Sequence, residues 1–395
     1  MGLTSHKVLA LSIVITALTV LGTVWIWPRL AYRSWPAVFA RLGTIVVTQL
    51  AVLCTIGLLV NNSFVFYSSW SDLLGTGNQG PVNLQGAVGA GPSAAPGTGP
   101  SPGTSTAKPV TPAGVQTLGT ETVPGTGSAG QDPVKVGALQ RVRIPGALSK
   151  LSTDGYVYLP PQYFQPAYRA TKFPAIAVLT GFPGDAKNLV TKLDYPSIEL
   201  QLINQGRMRP VVQILMRPSP SMPRDSECED IPGGPQARTY FTQDVPQDVQ
   251  ASYRVLGGAG SWGAAGDSTG GYCALKFAMT DPTVFTTAAS LSGYFKAAED
   301  FTTGDLFGGS QQRRNEADLN WRLANLPPPP VSVMLANSKS DGTSYADSQP
   351  FAAAVHPPMT VAQATVDSGG HNFTTWVRLL PACLEWLSTH LTNPA

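Results

Sequence analysis

Residues 136–395 predict an α/β fold, a mostly parallel sheet with helices on both faces. Three observations carry this expectation. Short apolar runs of strand length alternate with helical segments. The runs are apolar throughout, as strands buried on both faces are. A G-x-S-x-G pattern, Gly266-Asp267-Ser268-Thr269-Gly270, stands where one such run gives way to a helix.

Taken in order, residues 139–144 and 156–159 read as an opening hairpin, and 175–180 form an apolar run ending in Gly181-Phe182-Pro183-Gly184. A helix over 198–204, a strand over 211–216 and a helix over 246–253 follow. The strand 262–265 then enters a sharp turn at Ser268, with a helix over 271–279 beyond it. Such a turn strains the serine and lifts its hydroxyl clear of the sheet, and a Cβ at either flanking glycine would clash with the crossing strand and helix. Strands over 286–291, 331–336 and 361–366 and an amphipathic helix over 373–391 complete the domain. Ligands in sheets of this kind bind at the carboxyl ends of the strands.

The N-terminal third has a different composition. Residues 8–27 and 42–71 carry no charge, and apolar density in the second stretch is concentrated between Thr44 and Val60. Two transmembrane helices are expected, at about 8–27 and 44–66, since each stretch is long enough to cross a bilayer core of about 30 Å. A cleaved signal peptide is disfavoured, because the bulky Val24-Trp25-Ile26-Trp27-Pro28 offers no small-residue cleavage site. The loop between the spans holds Arg29, Arg33 and Arg41, which places it in the cytoplasm and the C-terminal domain outside. Residues 1–74 are thus a two-span anchor in the cell membrane. Residues 75–135 are rich in Gly, Pro, Ser and Thr, with too little apolar surface to order themselves, so a flexible linker is expected.

A net charge of +2 with 13% charged residues gives no electrostatic case for nucleic acid. Gly258-Ala259-Gly260-Ser261-Trp262-Gly263 matches G-x-G-x-x-G, but it precedes its strand, which excludes a dinucleotide fingerprint. Four cysteines show no zinc spacing, and no cofactor or metal is expected. Cys54 and Cys383 lie in apolar helical segments. Cys228, in a polar loop, and Cys273, soon after Ser268, are a candidate disulfide outside the cytoplasm, two free thiols being the alternative.

A serine hydroxyl needs a base to take its proton, and the base needs a carboxylate to fix its tautomer. Histidine supply narrows the choice of base. His6 precedes the first span, His356 precedes two prolines and His390 ends the last helix, leaving His371 in the Gly-rich loop Asp367-Ser368-Gly369-Gly370-His371, with His356 in reserve. The acid should follow a strand between Ser268 and His371. Asp341, just after the strand 331–336, is the choice, and Asp347 is second. Asp267, on the turn itself, cannot reach the far nitrogen of His371. Oxyanion donors are expected from the backbone N–H groups of Thr269 and Phe182. Ser, Asp, His is the chain order of α/β-hydrolases.

Residues from about 137 to 393 resemble the esterase D and antigen 85 (mycolyltransferase) family of α/β-hydrolases. The resemblance rests on Gly181-Phe182-Pro183-Gly184, on Gly266 to Tyr272, on Ser290-Leu291-Ser292-Gly293-Tyr294-Phe295, and on Gly369-Gly370-His371-Asn372-Phe373 with Trp376. It implies acyl transfer through an acyl-serine intermediate without metal or cofactor, to water in an esterase or to a sugar hydroxyl in a transferase. Thr180 stands where many relatives have His, and Asp341 where the mycolyltransferases use Glu, which leans away from the transferase branch.

The expected protein is therefore a membrane-anchored extracytoplasmic serine esterase or acyltransferase acting on lipid, acyl or sugar esters of the envelope. Phe182, Trp262 and Tyr294 are candidates to line an acyl pocket, or else core. Two other classes compete. One is a non-catalytic envelope- or matrix-binding module that keeps the fold, against which Ser268, Asp341 and His371 stand; the other is a protein whose membrane hairpin is the working part.

Overall fold

In the computed structural model the described residues are 2–76, 80–86, 111–127 and 131–395. They divide into two compact units. One comprises Met1–Gly80 with Ser338–Gly342 and Asp367–Thr375; the other holds the remaining residues from Pro81 onward.

The larger unit is built on a ten-stranded sheet, counted among the described residues. The strands are β1 (Asn83–Gly86), β2 (Gln116–Glu121), β3 (Ala138–Pro145), β4 (Ser152–Leu159), β5 (Ala175–Leu179), β6 (Val212–Met216), β7 (Trp262–Asp267), β8 (Phe285–Leu291), β9 (Ser332–Ser338) and β10 (Thr360–Val366). Their order across the sheet is β1-β10-β9-β8-β7-β5-β6-β4-β3-β2. Strands β6, β5, β7, β8 and β9 run parallel to one another. The hairpin β3–β4 joins β6 antiparallel.

Every residue of β5, β6, β7 and β9 is buried, as strands covered on both faces require. Trp262 and Phe285 meet edge to face at 6.1 Å between ring centroids, and Phe285 packs on Phe277 at 5.6 Å. Such pairs add about 1 kcal/mol beyond their burial. Trp262 opens β7, at the opposite end of the strand from Ser268, and is fully buried. At about 3.3 Å per residue the two are well over 10 Å apart. It is core, not pocket lining.

Two expectations change in detail. The segment 75–135 contributes strands at both sheet edges: β1 pairs antiparallel with β10, and β2 with β3. Both are mostly exposed. Backbone ladder bonds hold them, and a composition argument that counts only apolar burial does not register such bonds. Residues 87–110 of the expected linker lie outside the described residues.

The other difference concerns the N-terminal helices, α1 (His6–Ile26) and α2 (Trp35–Phe64). α2 begins well before Thr44 and carries Arg41. Pro36 falls in its first turn, where a missing N–H costs nothing. The two helices pair through Thr16 with Thr55 and Thr23 with Thr48, both at 2.8 Å between hydroxyls. Both are long and apolar enough to cross a membrane, and their apolar side chains are largely exposed. After α2 the chain turns through residues 65–69 into a single helical turn, α3 (Trp70–Leu73).

Candidate active site

Backbone segments pack closely around Ser268. A Cβ on Gly270 would lie 2.0 Å from the Leu179 carbonyl oxygen, and one on Gly266 would lie 2.4 Å from that same oxygen. β7 and the helix Thr269–Thr280 thus press directly onto the end of β5, which only glycine at both positions allows. The turn between them puts Ser268 at φ 52°, ψ −118°. L-residues rarely adopt this conformation, which costs about 1–3 kcal/mol. Its backbone is fixed on both sides: Ser268 N–H donates to the Leu291 carbonyl at 2.9 Å, and Tyr272 N–H donates to the Ser268 carbonyl at 3.0 Å. Thr269 is the first residue of the helix, where a backbone N–H has no acceptor within the helix and points outward.

The loop after β5 lies against the same turn. A Cβ on Gly181 would sit 3.0 Å from the Ser268 Cβ. Gly184 N–H closes the loop onto the Gly181 carbonyl at 2.7 Å. Asp267 has a role within its own unit. Its Oδ2 accepts the Gly181 N–H at 2.9 Å, so the residue before the serine holds the loop that carries Phe182. Beside this loop, from Asp185 and Ala186 across Tyr156 to Arg217, lies a groove of 460 Å³ with a mainly polar lining.

Behind the turn lies a buried network of which sequence reasoning names the Cys228–Cys273 pair, as a candidate disulfide, but not the buried charges around it. Cys228 and Cys273 form a disulfide, with Cα atoms 5.8 Å apart, that fixes the loop 225–230 to the first turns of the helix. Glu227, fully buried and at φ 46°, accepts the Tyr294 hydroxyl at 2.6 Å, and the same hydroxyl lies 3.0 Å from the Thr269 hydroxyl. Burial, and then the neighbouring Asp225, push the Glu227 carboxyl well above its usual range. Tyr294 stacks on Tyr272 at 5.1 Å and is part of this support. Lys276 reaches the Cys228 carbonyl at 2.9 Å and pairs with Glu229. One sequence signal was available for this network: Lys276 is a lone charge in the otherwise apolar helix Tyr272 to Met279.

In the other unit the loops that follow β9 and β10 meet. His371 Nδ1 lies 3.0 Å from Asp341 Oδ2, and Asp341 is 2% exposed. The contact fixes the tautomer, with the proton on Nδ1 and the lone pair on Nε2. Ser340 donates its hydroxyl proton to the Asp367 carbonyl at 2.9 Å, and Lys339 pairs with Asp367 at 2.7 Å. The reserve candidates are placed elsewhere. Asp347 and His356 are exposed, and His390 is held by the Trp386 carbonyl at 2.9 Å. The expected residues thus assemble as two sets: Ser268 with Thr269 and the Gly181–Phe182 loop, and Asp341 with His371. Among the described residues no group of His, Cys, Asp and Glu is arranged to hold a metal ion.

Comparison with known proteins agrees at the level of fold and family. The chain is similar in structure to an S-formylglutathione hydrolase from Agrobacterium tumefaciens, with a TM-score of 0.57 and 15% identity over 70% of this chain and 100% of that one. It is also similar to the fluorophosphonate-binding serine hydrolase F of Staphylococcus aureus, with a TM-score of 0.51 and 16% identity over 64% of this chain and 98% of that one. No curated protein matches the sequence. The family model described as Putative esterase matches residues 150–387, more than half of the chain. With its strained serine turn and mostly parallel sheet, the chain belongs to that esterase family of α/β-hydrolases.

Proposed function

We propose that the protein is a membrane-anchored serine esterase or acyltransferase whose catalytic residues are Ser268, Asp341 and His371, working outside the cytoplasm on carboxylic esters. The observation that carries this reading is the conformation of Ser268, a strained serine at a strand-to-helix turn with an oxyanion-type loop against it. The Asp341–His371 pair supports it from the loops after β9 and β10.

In this mechanism Ser268 Oγ attacks the ester carbonyl while His371 Nε2 takes its proton. Asp341 holds the Nδ1–H and stabilises the imidazolium that forms. The N–H groups of Thr269 and Phe182 carry the charge on the carbonyl oxygen. His371 then returns the proton to the leaving alcohol, and the acyl group stays on Ser268. Water or a second hydroxyl, activated by the same histidine, releases it. The polar groove beside Asp185 would take the hydrophilic part of the substrate.

The membrane part of the reading rests on α1 and α2. Their apolar side chains are exposed, and Arg29, Arg33 and Arg41 cluster at the loop between them. Arg29 lies over the Trp25 ring at 3.8 Å, an arrangement suited to a membrane–water interface.

The test is hydrolysis of short-chain p-nitrophenyl esters by the full chain in detergent micelles. Ser268→Ala and His371→Ala should each abolish turnover while leaving the thermal unfolding transition in place. Wild-type turnover in either variant would refute the assignment.

A further inference from the structure

The chain just after α2 does more than lead away from the hairpin. Three successive residues of the His371 loop are tied to it. Gly370 N–H donates to Asp72 Oδ2 at 2.9 Å, His371 N–H donates to the Val65 carbonyl at 2.9 Å, and the Asn372 side-chain amide donates to the Phe66 carbonyl. We infer that residues 65–72 are a positioning element of the active site, with Asp72 holding the backbone of the loop that carries His371. This rests on the reading of His371 as the general base.

The glycines of the loop support the inference independently. Gly369 sits at φ 131°, a conformation that requires glycine. Gly370 has no positive φ to explain it. A Cβ there would lie 2.3 Å from the Phe66 carbonyl oxygen and 2.6 Å from that of Val65. Glycine is dictated at 370 by the closeness of the segment after α2, so this contact is built into the loop itself.

The segment in turn is held in shape from within. Val65 ends α2 in the left-handed region, at φ 50°, ψ 39°, a conformation that a β-branched residue strongly disfavours. Asn61 holds the turn, donating to the Tyr67 carbonyl at 3.0 Å and accepting the Tyr67 N–H at 2.8 Å. Asp72 Oδ2 also accepts the Ser68 N–H at 2.8 Å, so one carboxylate oxygen binds both the turn and the histidine loop. Small displacements of a catalytic base are costly in rate. The hairpin's exit adds three hydrogen bonds to those that already hold the loop.

The experiment compares Asp72→Ala and Asp72→Asn in the full chain in micelles, with His371→Ala in parallel. Loss of a hydrogen bond to a charged acceptor should lower kcat by about tenfold in Asp72→Ala, with KM within about twofold. Asp72→Asn keeps an acceptor oxygen and should recover most of the rate. A role in stability alone would not produce a kcat loss at constant KM that Asn rescues. Amide hydrogen exchange of a peptide spanning residues 367–373 gives a readout independent of activity: protected in the wild type, faster in Asp72→Ala. Wild-type kcat in Asp72→Ala, or exchange at unstructured-peptide rates in the wild-type chain, would overturn the inference and leave the esterase reading intact. Turnover surviving in His371→Ala would instead overturn the reading beneath it.

Discussion

Ser268 and its flanking glycines form a single steric object. The strained serine turn exists because Gly266 and Gly270 let β7, the helix and β5 come within backbone contact. Gly270→Ala would place a methyl 2.0 Å from the Leu179 oxygen, and nothing flexible is there to yield. It should destabilise the protein by about 3 kcal/mol, the upper end of overpacking costs, with esterase activity lost as well; thermal unfolding measures it. At Asp341 the expected effect is chemical. Asp341→Asn keeps the shape but loses the charge that selects the His371 tautomer. kcat should fall by roughly 10³–10⁴ with the unfolding temperature nearly unchanged, as steady-state kinetics and calorimetry would show. These residues were legible in the sequence because their constraints are local or a matter of supply: a motif forced by sterics, one histidine in a suitable loop, one aspartate after a suitable strand. Asp267 and Glu227 were not legible in their roles. Each acts on a backbone or side chain far away in sequence, Gly181 in one case and Tyr294 in the other, and only folding brings these together.

At the scale of elements, the loop 225–230 and the helix after Ser268 act as one piece through the Cys228–Cys273 disulfide. Removing it with Cys228→Ser and Cys273→Ser frees a 45-residue separation. Stability should fall by about 4 kcal/mol on the chain-entropy model, read from the shift in the urea midpoint. The same loop makes stability depend on pH. Burial raises the Asp225 carboxyl to about 6, above its ordinary value, so the folded state holds a proton that the unfolded chain has released. Stability therefore declines as pH rises from about 4 to 6, because the unfolded chain binds fewer protons over that window. Asp225→Asn removes the titration, and its unfolding temperature relative to wild type should be higher at pH 7.5 than at pH 4. A constant difference across that range would contradict the assignment. Element types in the hydrolase domain followed from apolar runs and turn signals. The ends were less legible: β7 runs on to Asp267, its helix starts at Thr269, and the edge strands β1 and β2 are held by ladder bonds that composition does not encode.

For the whole molecule, the proposed membrane anchoring of α1 and α2 would have the esterase domain deliver its chemistry at a surface. In the proposed topology a cysteine introduced at Ser34, between the helices, should react with a membrane-impermeant maleimide only after cells are opened. One introduced at Thr126 should react in intact cells. The reverse pattern would place the catalytic domain in the cytoplasm. The most direct test of the central claim, an activated serine at this turn, uses a fluorophosphonate probe on the full chain in micelles, with the labelled residue mapped by mass spectrometry. Labelling at Ser268, abolished in Ser268→Ala and strongly slowed in His371→Ala, is the predicted result. A folded protein that takes no label, or takes it at another serine, would contradict it.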